Sequence, residues 1–409
     1  MPILSYREDM KHASQAIVIG GGIAGPAASL FLRRAGIESQ IFEAYPRPAT
    51  IGGGFQIAPN GMRVLHALGL ADQVRAAGIA SSDFVFRNQH GKVIGRIDVS
   101  ECGDGITIRR SAFQRILLDE IARRDIPIHY GKRLSAIEQA GEMVLAHFAD
   151  GRVESAGMLL AADGVHSRAR ALILPEYASP RYTGFLGIGG FAEVGSASPS
   201  DLEDARHLNF TVGPQFQIGY AMMSEAPPLW GWWTHLPQEG ELRRAELQAI
   251  PDRAMRDRVL AAFGGWHSPI EALVSNTKDI MRTAIYDVPP LPVWHVGRVM
   301  LLGDAAHAMS PAGGQGASLA LEDAMLVGKS LADQHRPVTR TFAAAESLLR
   351  ARAERIVKQA AGNDRRQVKE LGPFGQWMRN QAFPLFAPLI ARELRRQYTA
   401  FRQMFPHAA

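Results

Sequence analysis

The stretch that decides the fold is AIVIGGGIAG at residues 16–25, which is followed by a helical pattern and then by SQIFEA at residues 39–44. The apolar run before the glycines predicts a short buried strand. The pattern after them predicts a helix over residues 27–35, with Gly36 at its end. The second strand completes a β-α-β unit, whose strands are parallel and whose crossover is right-handed. The first 44 residues therefore predict the start of a parallel α/β sheet.

The glycines of this turn have the spacing of a dinucleotide-binding loop. Gly20, Gly22 and Gly25 form the pattern G-x-G-x-x-G between a strand and a helix. The first glycine permits a tight turn, the second lets the backbone approach a pyrophosphate, and the third lets the helix pack on the strand. Glu43 lies 18 residues past Gly25, where a carboxylate accepts hydrogen bonds from ribose hydroxyls. The pattern predicts a bound dinucleotide and leaves both NAD and FAD open.

The composition is that of a folded protein with more than one domain. The chain has 409 residues, of which 46% are hydrophobic and 21% charged, and this length favours two or three domains. The single cysteine, Cys102, excludes an intramolecular disulfide and is typical of a reducing compartment. No H-x-x-x-H pattern or carboxylate cluster indicates a metal site. We therefore expect a cytoplasmic protein without a bound metal.

The charges do not indicate a nucleic-acid or membrane partner. The formal net charge is +5, but lysines and arginines are spread along the chain without a block of five like charges. Residues 16–32 are uncharged, yet they contain several glycines and a proline and are fewer than the ~20 apolar residues that span a bilayer. We expect the partners to be small molecules.

Apolar spacing along the chain predicts two interleaved domains. It is helical over residues 60–77 and 111–123, and it alternates over 81–99. Aromatic period-2 runs with Pro and Gly punctuation predict a mostly antiparallel sheet over 179–281. A buried strand and a helix over 316–333 return to the first domain. The predicted ranges are 1–178 and 282–335 for the first domain, with 81–100 contributing to the second, 179–281 for the second domain, and 336–409 for a C-terminal helical extension.

Two later segments add to the glycine-rich turn. The first is LLAADGVHSRAR at residues 159–170. The second is RVMLLGDAAH at residues 298–307, and its pattern continues to residue 324. In this order and spacing the three segments resemble the class A FAD-dependent aromatic monooxygenases, typified by para-hydroxybenzoate hydroxylase. IGGGFQI at residues 51–57 is similar to a loop beside the flavin ring in salicylate-hydroxylase-like members.

The resemblance covers residues 16–331 and implies the para-hydroxybenzoate hydroxylase fold. This α/β fold has a Rossmann-like FAD-binding domain, an inserted and mostly antiparallel β-sheet domain for the substrate, and C-terminal helices. The resemblance also implies bound FAD, with NADPH or NADH as a transient electron donor. One departure is Ser318, which stands where many members have asparagine, so only a backbone role toward the flavin ring is expected there.

The resemblance also implies roles for single residues. Asp304 is placed to accept hydrogen bonds from the ribityl chain of FAD, and Arg110 to contact the FAD chain. The thin loop of Pro311, Gly313 and Gly314 holds the catalytic candidates, because its glycines leave room for dioxygen and substrate. The implied cofactor-binding residues are Gly20, Gly22, Ile23, Ala24, Gly25, Glu43, Gly53, Gly54, Arg110, Asp163, Gly303, Asp304, Pro311, Gly314, Gln315, Gly316 and Ala317.

Three polar residues stay open between a structural and a functional role. Asp163 either caps its own turn or also serves the nicotinamide cofactor. Arg170 either forms an ion pair or contacts a cofactor. His307 either packs within the flavin motif or takes part in catalysis.

The inserted sheet is expected to cover the flavin and to form the substrate pocket. Its aromatic residues Phe191, Phe210, Tyr220 and Trp232 are the substrate candidates, since such side chains stack on a planar ring. The alternative for each is ordinary sheet core. Neither FQIGYAMM at 216–223 nor WGWWTHL at 230–236 has a lysine or arginine to pair with a carboxylate. A neutral, larger aromatic or polycyclic substrate is therefore favoured over a simple aromatic acid.

The function implied is that of an FAD-dependent, NAD(P)H-consuming monooxygenase. It would hydroxylate an aromatic or polycyclic aromatic small molecule through a C4a-hydroperoxyflavin, with dioxygen as co-substrate. One alternative is a flavoprotein that oxidises without oxygen insertion, or a Baeyer–Villiger or decarboxylating variant. Another is a non-catalytic flavin-binding sensor. The sequence leaves open a monomer or a homodimer, and its aromatic C-terminal stretch predicts either a helix strapped across both domains, which we favour, or a partner surface.

Overall fold

A computed structural model describes residues 15–48, 52–193, 206–333, 335–367 and 370–404. The predicted ring loop begins at Ile51, which lies outside this part of the chain, and so do the two ends of the chain and residues 194–205 of the predicted inserted sheet. The elements below follow chain order.

The strands are β1 Gln15–Ile19, β2 Glu38–Phe42, β3 Gly54–Ile57, β4 Ile79–Ser81, β5 Asp83–Asn88, β6 Val93–Asp98, β7 Gly105–Arg109, β8 Ile128–His129, β9 Leu134–Ala140, β10 Met143–Phe148, β11 Val153–Ala156, β12 Met158–Ala161, β13 Arg181–Ala192, β14 His207–Val212, β15 Gln217–Glu225, β16 Pro228–Pro237, β17 Met281–Asp287, β18 His295–Val296 and β19 Val299–Leu301.

The α-helices are α1 Ala24–Arg34, α2 Pro59–Leu68, α3 Ala71–Ala77, α4 Arg110–Arg123, α5 Arg168–Ile173, α6 Arg244–Ala249, α7 Asp252–Phe263, α8 Ile270–Ser275, α9 Asp304–His307, α10 Gly316–Ser330, α11 Val338–Gln367 and α12 Pro373–Met404. Short 3₁₀ turns lie at Ser100–Cys102, Pro175–Tyr177 and Pro311–Gly313.

The chain packs as two compact units, each built from three separate segments. The first unit comprises Met1–Thr50, Gln114–Arg181 and Tyr286–Ala361, and the second comprises Ile51–Phe113, Tyr182–Ile285 and Gly362–Ala409. This division gives residues 51–113 and the last helix to the second unit. The domain boundaries inferred from the sequence, at residues 178, 281 and 335, stay predictions.

The first unit contains the predicted β-α-β start. Its six-stranded sheet has the order β18-β19-β12-β1-β2-β8, and β1 pairs in parallel with both β2 and β12. The parallel crossover is thus confirmed, but α1 begins at Ala24 rather than at residue 27. The earlier start is possible because Pro26 lies in the first turn, where no intrahelical N–H is needed. Helix α10 packs against α1, and a Cβ on Gly328 would lie 2.4 Å from the Cβ of Phe31.

The second unit is organised around a seven-stranded sheet of order β17-β13-β16-β15-β14-β5-β6. Strands β13, β16, β15 and β14 pair antiparallel in turn, while β14 pairs in parallel with β5. A mostly antiparallel second sheet is therefore confirmed, and β5 and β6 from the predicted range 81–100 form one edge of it.

The helical spacing predicted over residues 60–77 is confirmed, and it corresponds to two helices. The chain forms two helices there, α2 and α3, because Gly69 adopts φ +79° and ends the first one. A left-handed residue at this position closes a helix, and glycine reaches that conformation without a steric cost.

Candidate functional site

In the glycine-rich turn of the first unit, an added side chain would clash with the backbone at two glycines and would have free space at a third. Gly20 has φ +107°, and a Cβ there would lie 2.2 Å from the carbonyl oxygen of Ala162. A Cβ on Gly25 would lie 1.9 Å from the carbonyl oxygen of Gly20. A Cβ on Gly22 would meet no atom within 4 Å. The first two glycines are therefore needed by the fold itself, whereas Gly22 leaves an open approach to the backbone, as a pyrophosphate requires.

Two side chains hold this turn through Gly21. The Glu43 carboxylate accepts hydrogen bonds from the backbone N–H of Gly21 at 2.6 Å and of Tyr45 at 2.8 Å. The amide of Gln114 donates to the carbonyl oxygen of Gly21 at 3.0 Å. Sequence reasoning selected Glu43 as an acceptor for ribose hydroxyls, not as a partner of Gly21. It missed Gln114, because a glutamine within a helical pattern gives no signal of its own.

Two helices of the first unit begin without a side-chain cap. The N-cap residues are Ile23 for α1 and Gln315 for α10, neither has a capping side-chain hydrogen bond, and neither first turn contains an acidic residue. The opening residues Ala24, Gly316 and Ala317 therefore present backbone amides at helix N-termini, where partial positive charge favours anions. This arrangement suits a pyrophosphate at α1 and an electron-rich ring edge at α10.

Asp304 stands between the strand β19 and the helix α10. It is exposed at the start of α9, and its Oδ1 lies 3.9 Å from the position of a Cβ on Gly316. Gly303 before it has φ +56°, and a Cβ there would lie 3.1 Å from the Cβ of Ala320 and 3.3 Å from that of Ala24. The small residue thus lets the turn that carries Asp304 lie between two helices.

A buried ion pair between Asp323 and His307 stabilises the turn that carries Asp304. Asp323 Oδ2 accepts from the backbone N–H of Gly303 at 2.8 Å and lies 2.7 Å from Nε2 of His307. Both side chains are buried, and the Trp294 ring lies 4.9 Å from the imidazole. Burial opposes the charge on His307, but the Asp323 carboxylate outweighs it and raises the pKa of the imidazole. These contacts assign His307 a positioning role beside the predicted flavin motif.

In the predicted catalytic loop, a Cβ would contact neighbouring atoms at one glycine and would have free space at the other. Pro311–Gly313 forms a 3₁₀ turn, and a Cβ on Gly313 would lie 3.0 Å from both the Cβ of Ala360 and the Sδ of Met309. Gly314 has φ +63° and would meet no atom within 4 Å. Of the two, Gly314 is the glycine that leaves room for a small molecule.

Asp163 and Arg170 both have clear structural partners. The Asp163 carboxylate accepts from the Ser167 hydroxyl at 2.5 Å and from the backbone N–H groups of Arg168 and Ala169 at 2.7 and 3.0 Å. It therefore caps α5, although loss of hydration raises its pKa. The Arg170 guanidinium is fully buried and donates to four carbonyl oxygens, including that of Ala305 at 2.9 Å.

The predicted ring loop belongs to the second unit. The N–H of Arg110 donates to the carbonyl oxygen of Gly53 at 3.0 Å, and the Arg110 side chain is exposed. A Cβ on Gly53 would meet nothing within 4 Å, whereas a Cβ on Gly54 would lie 2.5 Å from Met223 Cε. A side chain at Gly54 would displace the end of the Met223 side chain, whereas Gly53 is the open position.

The four substrate candidates lie on opposite faces of the seven-stranded sheet. Tyr220 and Trp232 are directly paired across β15 and β16 and are buried in a core that contains Val259 and Phe263 of α7. The Trp232 indole N–H also donates to Thr277 Oγ1 at 2.7 Å. These contacts are those of ordinary sheet core, which was the alternative.

The other face of this sheet is aromatic and partly open. Phe191 and Phe210 lie there with Trp233 around buried Leu208, Ala221 and Met223, and all three aromatic side chains are half-buried. Glycines flank them, since a Cβ on Gly231 would contact Met223 and Phe191 and one on Gly219 would contact Trp233. We call Phe191, Phe210 and Trp233 the aromatic face.

His235 follows Trp233 two residues later on the same strand, on the same side of it. Its side chain is buried, and no hydrogen bond joins its ring to a residue of the described chain. Loss of hydration lowers its pKa from the ordinary 6.5 to about 4. The imidazole is therefore neutral at pH 7, so it adds no charge to this side of the sheet.

The arrangement in the first unit fits the pyrophosphate and ribityl parts of FAD. The fit rests on the open backbone at Gly22, the uncapped start of α1 and the exposed carboxylate of Asp304 near the start of α10. The described residues contain no group of three or more His, Cys, Asp or Glu that could hold a metal ion. In the same ranges, no helix is both long and apolar enough to cross a membrane.

Comparison with known proteins agrees with this site. A family described as "FAD binding domain" matches residues 13–360. The chain belongs to this family, among the class A FAD-dependent aromatic monooxygenases, and FAD is its cofactor.

Relatives extend over most of the chain. It is 31% identical to aurachin C monooxygenase/isomerase of Stigmatella aurantiaca, over 90% of this chain and 91% of the relative. It is 29% identical to 6-hydroxynicotinate 3-monooxygenase of Pseudomonas fluorescens, over 79% and 83%. A solved structure of HpxO from Klebsiella pneumoniae, complexed with FAD and uric acid, has a TM-score of 0.78 and 26% identity, over 93% of this chain and 92% of HpxO.

Proposed function

We propose that this enzyme hydroxylates a neutral aromatic molecule larger than a single ring, or a polycyclic one, with NADPH or NADH as electron donor. The observation that carries the proposal is the aromatic face, which combines Phe191, Phe210 and Trp233 with the apolar side chains of Leu208, Ala221 and Met223. None of these residues is charged, and the nearby His235 is neutral at pH 7.

The preference for a neutral substrate follows from desolvation. Burying a carboxylate against apolar side chains costs several kcal/mol unless a cation or hydrogen-bond donors replace its water. Stacking on aromatic rings contributes about 0.5–1.5 kcal/mol per pair beyond the area buried, and its total grows with the size of the substrate. A fused-ring compound therefore gains more from the aromatic face than a small aromatic acid does.

The roles proposed for the first unit are binding and orientation. Gly22, Ile23 and Ala24 would receive the pyrophosphate of FAD, Asp304 its ribityl hydroxyls, and α10 the edge of its ring. When bound, FAD supplies the chemistry, since it takes electrons from NAD(P)H and activates dioxygen for transfer of one oxygen atom. The protein orients the ring and excludes water.

The electron donor is proposed to bind beside Asp163. A surface depression there is lined by Arg133, His166 and Arg168 together with the hydroxyls of Ser167 and Ser179. Two guanidinium groups with hydroxyls suit the phosphates of a nicotinamide dinucleotide. A cytoplasmic location is part of the proposal and is supported by the single cysteine.

The experiment is a screen of the FAD-loaded enzyme with NADH and with NADPH. Uncharged two- and three-ring aromatics are compared with monocyclic aromatic acids for stimulated NAD(P)H oxidation, and products are checked by mass spectrometry for one added oxygen. The proposal expects oxygenated products from the uncharged fused-ring group.

Other results would select the alternatives. A product without added oxygen would indicate a plain oxidase, and a ring-expanded or decarboxylated product would indicate the variant reactions. Peroxide alone would identify an effector, and absence of NAD(P)H consumption with every compound would favour a flavin sensor. A product only from aromatic acids would contradict the proposed substrate class.

A further inference from the structure

The last helix of the second unit has two apolar sides. One is buried, where Phe383, Ala387, Ala391 and Tyr398 pack with Ile97 and neighbouring residues. The other is exposed and comprises Phe374, Trp377, Met378, Leu385, Phe386 and Leu389, with exposures between 51% and 76%. We call these six residues the outer stripe of α12.

The outer stripe has no charge of its own. Between residues 373 and 391 the only charged residue is Arg379. Its guanidinium is turned toward the sheet, where it donates to the carbonyl oxygen of Gly213 at 2.6 Å. Helices that lie on a lipid surface carry lysines and arginines along their polar edges, and this segment lacks them. The chemistry of the stripe is therefore that of a protein interface.

The area of the stripe is that of one side of a stable dimer. Together with Ile390, which is 38% exposed, the stripe presents seven large side chains. At roughly 200 Å² for each fully exposed side chain, they offer on the order of 800 Å² of apolar surface. The largest apolar patch of a typical monomer is about 300–600 Å², whereas a standard interface buries about 800 Å² per partner.

The order of the large residues is symmetric about the middle of the stripe. Phe374 and Leu389, Trp377 and Phe386, and Met378 and Leu385 are each equidistant from the point between residues 381 and 382. When two identical helices cross antiparallel on a two-fold axis at that point, each large side chain of one copy meets a large side chain of the other. Binding to a different protein would not require a symmetric order of large residues in this helix.

From this symmetry, area and lack of charge, we infer that the outer stripe of α12 binds the same stripe of a second copy, and that the enzyme is a homodimer. The two α12 helices lie antiparallel, with Gln381 and Ala382 at the two-fold axis. On either side of the axis, Phe374 lies opposite Leu389, Trp377 opposite Phe386 and Met378 opposite Leu385 of the other copy. The interface is isologous, so the assembly closes at two copies.

The first test measures the mass of the FAD-loaded enzyme in solution by light scattering over a range of concentrations. The wild type is expected at twice 44.6 kDa. Leu385→Glu is expected to raise the dimer dissociation constant by roughly 30-fold or more, since it places a charge at the core of the interface. The matched control is Leu348→Glu, because Leu348 is also an exposed helical leucine, 49% accessible, but lies on α11. Equal flavin content shows that both variants are folded.

The second test fixes the geometry by cross-linking. Cys102, the single native cysteine, is buried and stays out of reach. Gln381→Cys lies near the proposed axis, so two copies are expected to form a disulfide with each other. Phe374→Cys is expected to form none with itself, because its counterpart lies about 22 Å away along the helix. It should instead cross-link to a differently tagged chain carrying Leu389→Cys.

Three outcomes would overturn the inference. A wild-type mass near 44.6 kDa at every concentration would exclude the dimer. Equal dissociation constants for Leu385→Glu and Leu348→Glu would move the interface elsewhere. Sedimentation of the monomer with vesicles of phosphatidylcholine and phosphatidylserine, lost in Leu385→Glu, would identify a lipid surface as the occupant.

Discussion

The space around individual glycines shows which of them the fold requires and which leave room for a ligand. Gly20 and Gly25 are closed by backbone atoms within 2.2 Å of an added Cβ, and the spacing of the motif predicted both. The motif also predicted the open approach at Gly22. Which glycine of the pairs Gly53–Gly54 and Gly313–Gly314 is the open one could not be predicted, because that depends on elements distant in the sequence. The same limit applies to Gln114, whose role follows from its position opposite the Gly21 carbonyl.

The open glycine provides a test that separates folding from cofactor binding. Gly22→Ala is expected to fold but to bind FAD about 10- to 100-fold more weakly, because its methyl group occupies the approach to the pyrophosphate. The matched control is Gly362→Ala in α11, which is also in open space. That change is expected to leave FAD affinity unchanged and to stabilise the helix by up to ~1 kcal/mol. Flavin fluorescence titration of the apoprotein measures both, and equal affinities would contradict the role of Gly22.

His235 predicts a pH dependence with a definite sign. Its folded pKa of about 4 lies below the ordinary 6.5, so between these values the unfolded chain binds a proton that the folded one does not. The stability it contributes is complete above pH 6.5 and is lost as pH falls, by about 2 kcal/mol between pH 7 and 5. Urea unfolding at both pH values measures it. His235→Leu should lose less stability than the wild type over this interval, and identical losses would refute the assignment.

The two faces of the sheet predict different kinetics for two aromatic substitutions. Phe191→Ala removes part of the aromatic face and is expected to raise KM for the aromatic substrate at least ~10-fold while FAD stays bound. Trp232→Phe removes the hydrogen bond to Thr277 in the covered core, so it should lower stability by about 1–2 kcal/mol and leave KM unchanged. Steady-state kinetics with thermal melts distinguish them. The reverse pattern would place the substrate on the side of Tyr220 and Trp232.

At the scale of elements, sequence periodicity predicted which segments form strands and helices, but it predicted less well which elements pack against each other. The strand-helix-strand start and the antiparallel sheet follow from local spacing, which the backbone geometry of one element decides. The alternation in β16 fixes that Trp232 and Trp233 point to opposite faces, but not which face the helices cover. That choice depends on α7 and α8, which lie later in the chain.

The turn between β19 and α10 offers a prediction with a neighbouring control. Asp323→Asn weakens the contacts to Gly303 and His307, so it should cost about 3–5 kcal/mol and weaken FAD binding at least ~10-fold through displacement of Asp304. Glu322→Gln breaks a buried pair with Arg352, at 2.8 and 2.9 Å, that joins α10 to α11 instead. It should cost similar stability without changing FAD affinity. Equal FAD affinities in the two variants would show that the turn is not held by Asp323.

At the scale of the whole molecule, each unit is assembled from three segments that are far apart in sequence. The sequence patterns predicted the interruption of the first sheet by the second one, because the return to a buried strand after residue 281 is visible in composition. They predicted that residues 81–100 contribute to the second domain, but not that the rest of residues 51–113 packs with the second unit, since this depends on long-range contacts such as the hydrogen bond from the Thr107 hydroxyl to the Met222 carbonyl oxygen.

The cofactor is expected to stabilise the folded chain by mass action, and mostly through the first unit. At a free FAD concentration 1,000-fold above its dissociation constant, the holoenzyme should be about 4 kcal/mol more stable than the apoprotein. Hydrogen exchange should be slowed most in residues 16–25 and 303–317, the segments that we propose to contact FAD. Dialysis of the holoenzyme against a buffer that contains FAD at the same concentration is the control and should leave both the stability and the exchange rates unchanged. Protection that avoids both segments would mean that FAD is held by residues other than Gly22 and Asp304.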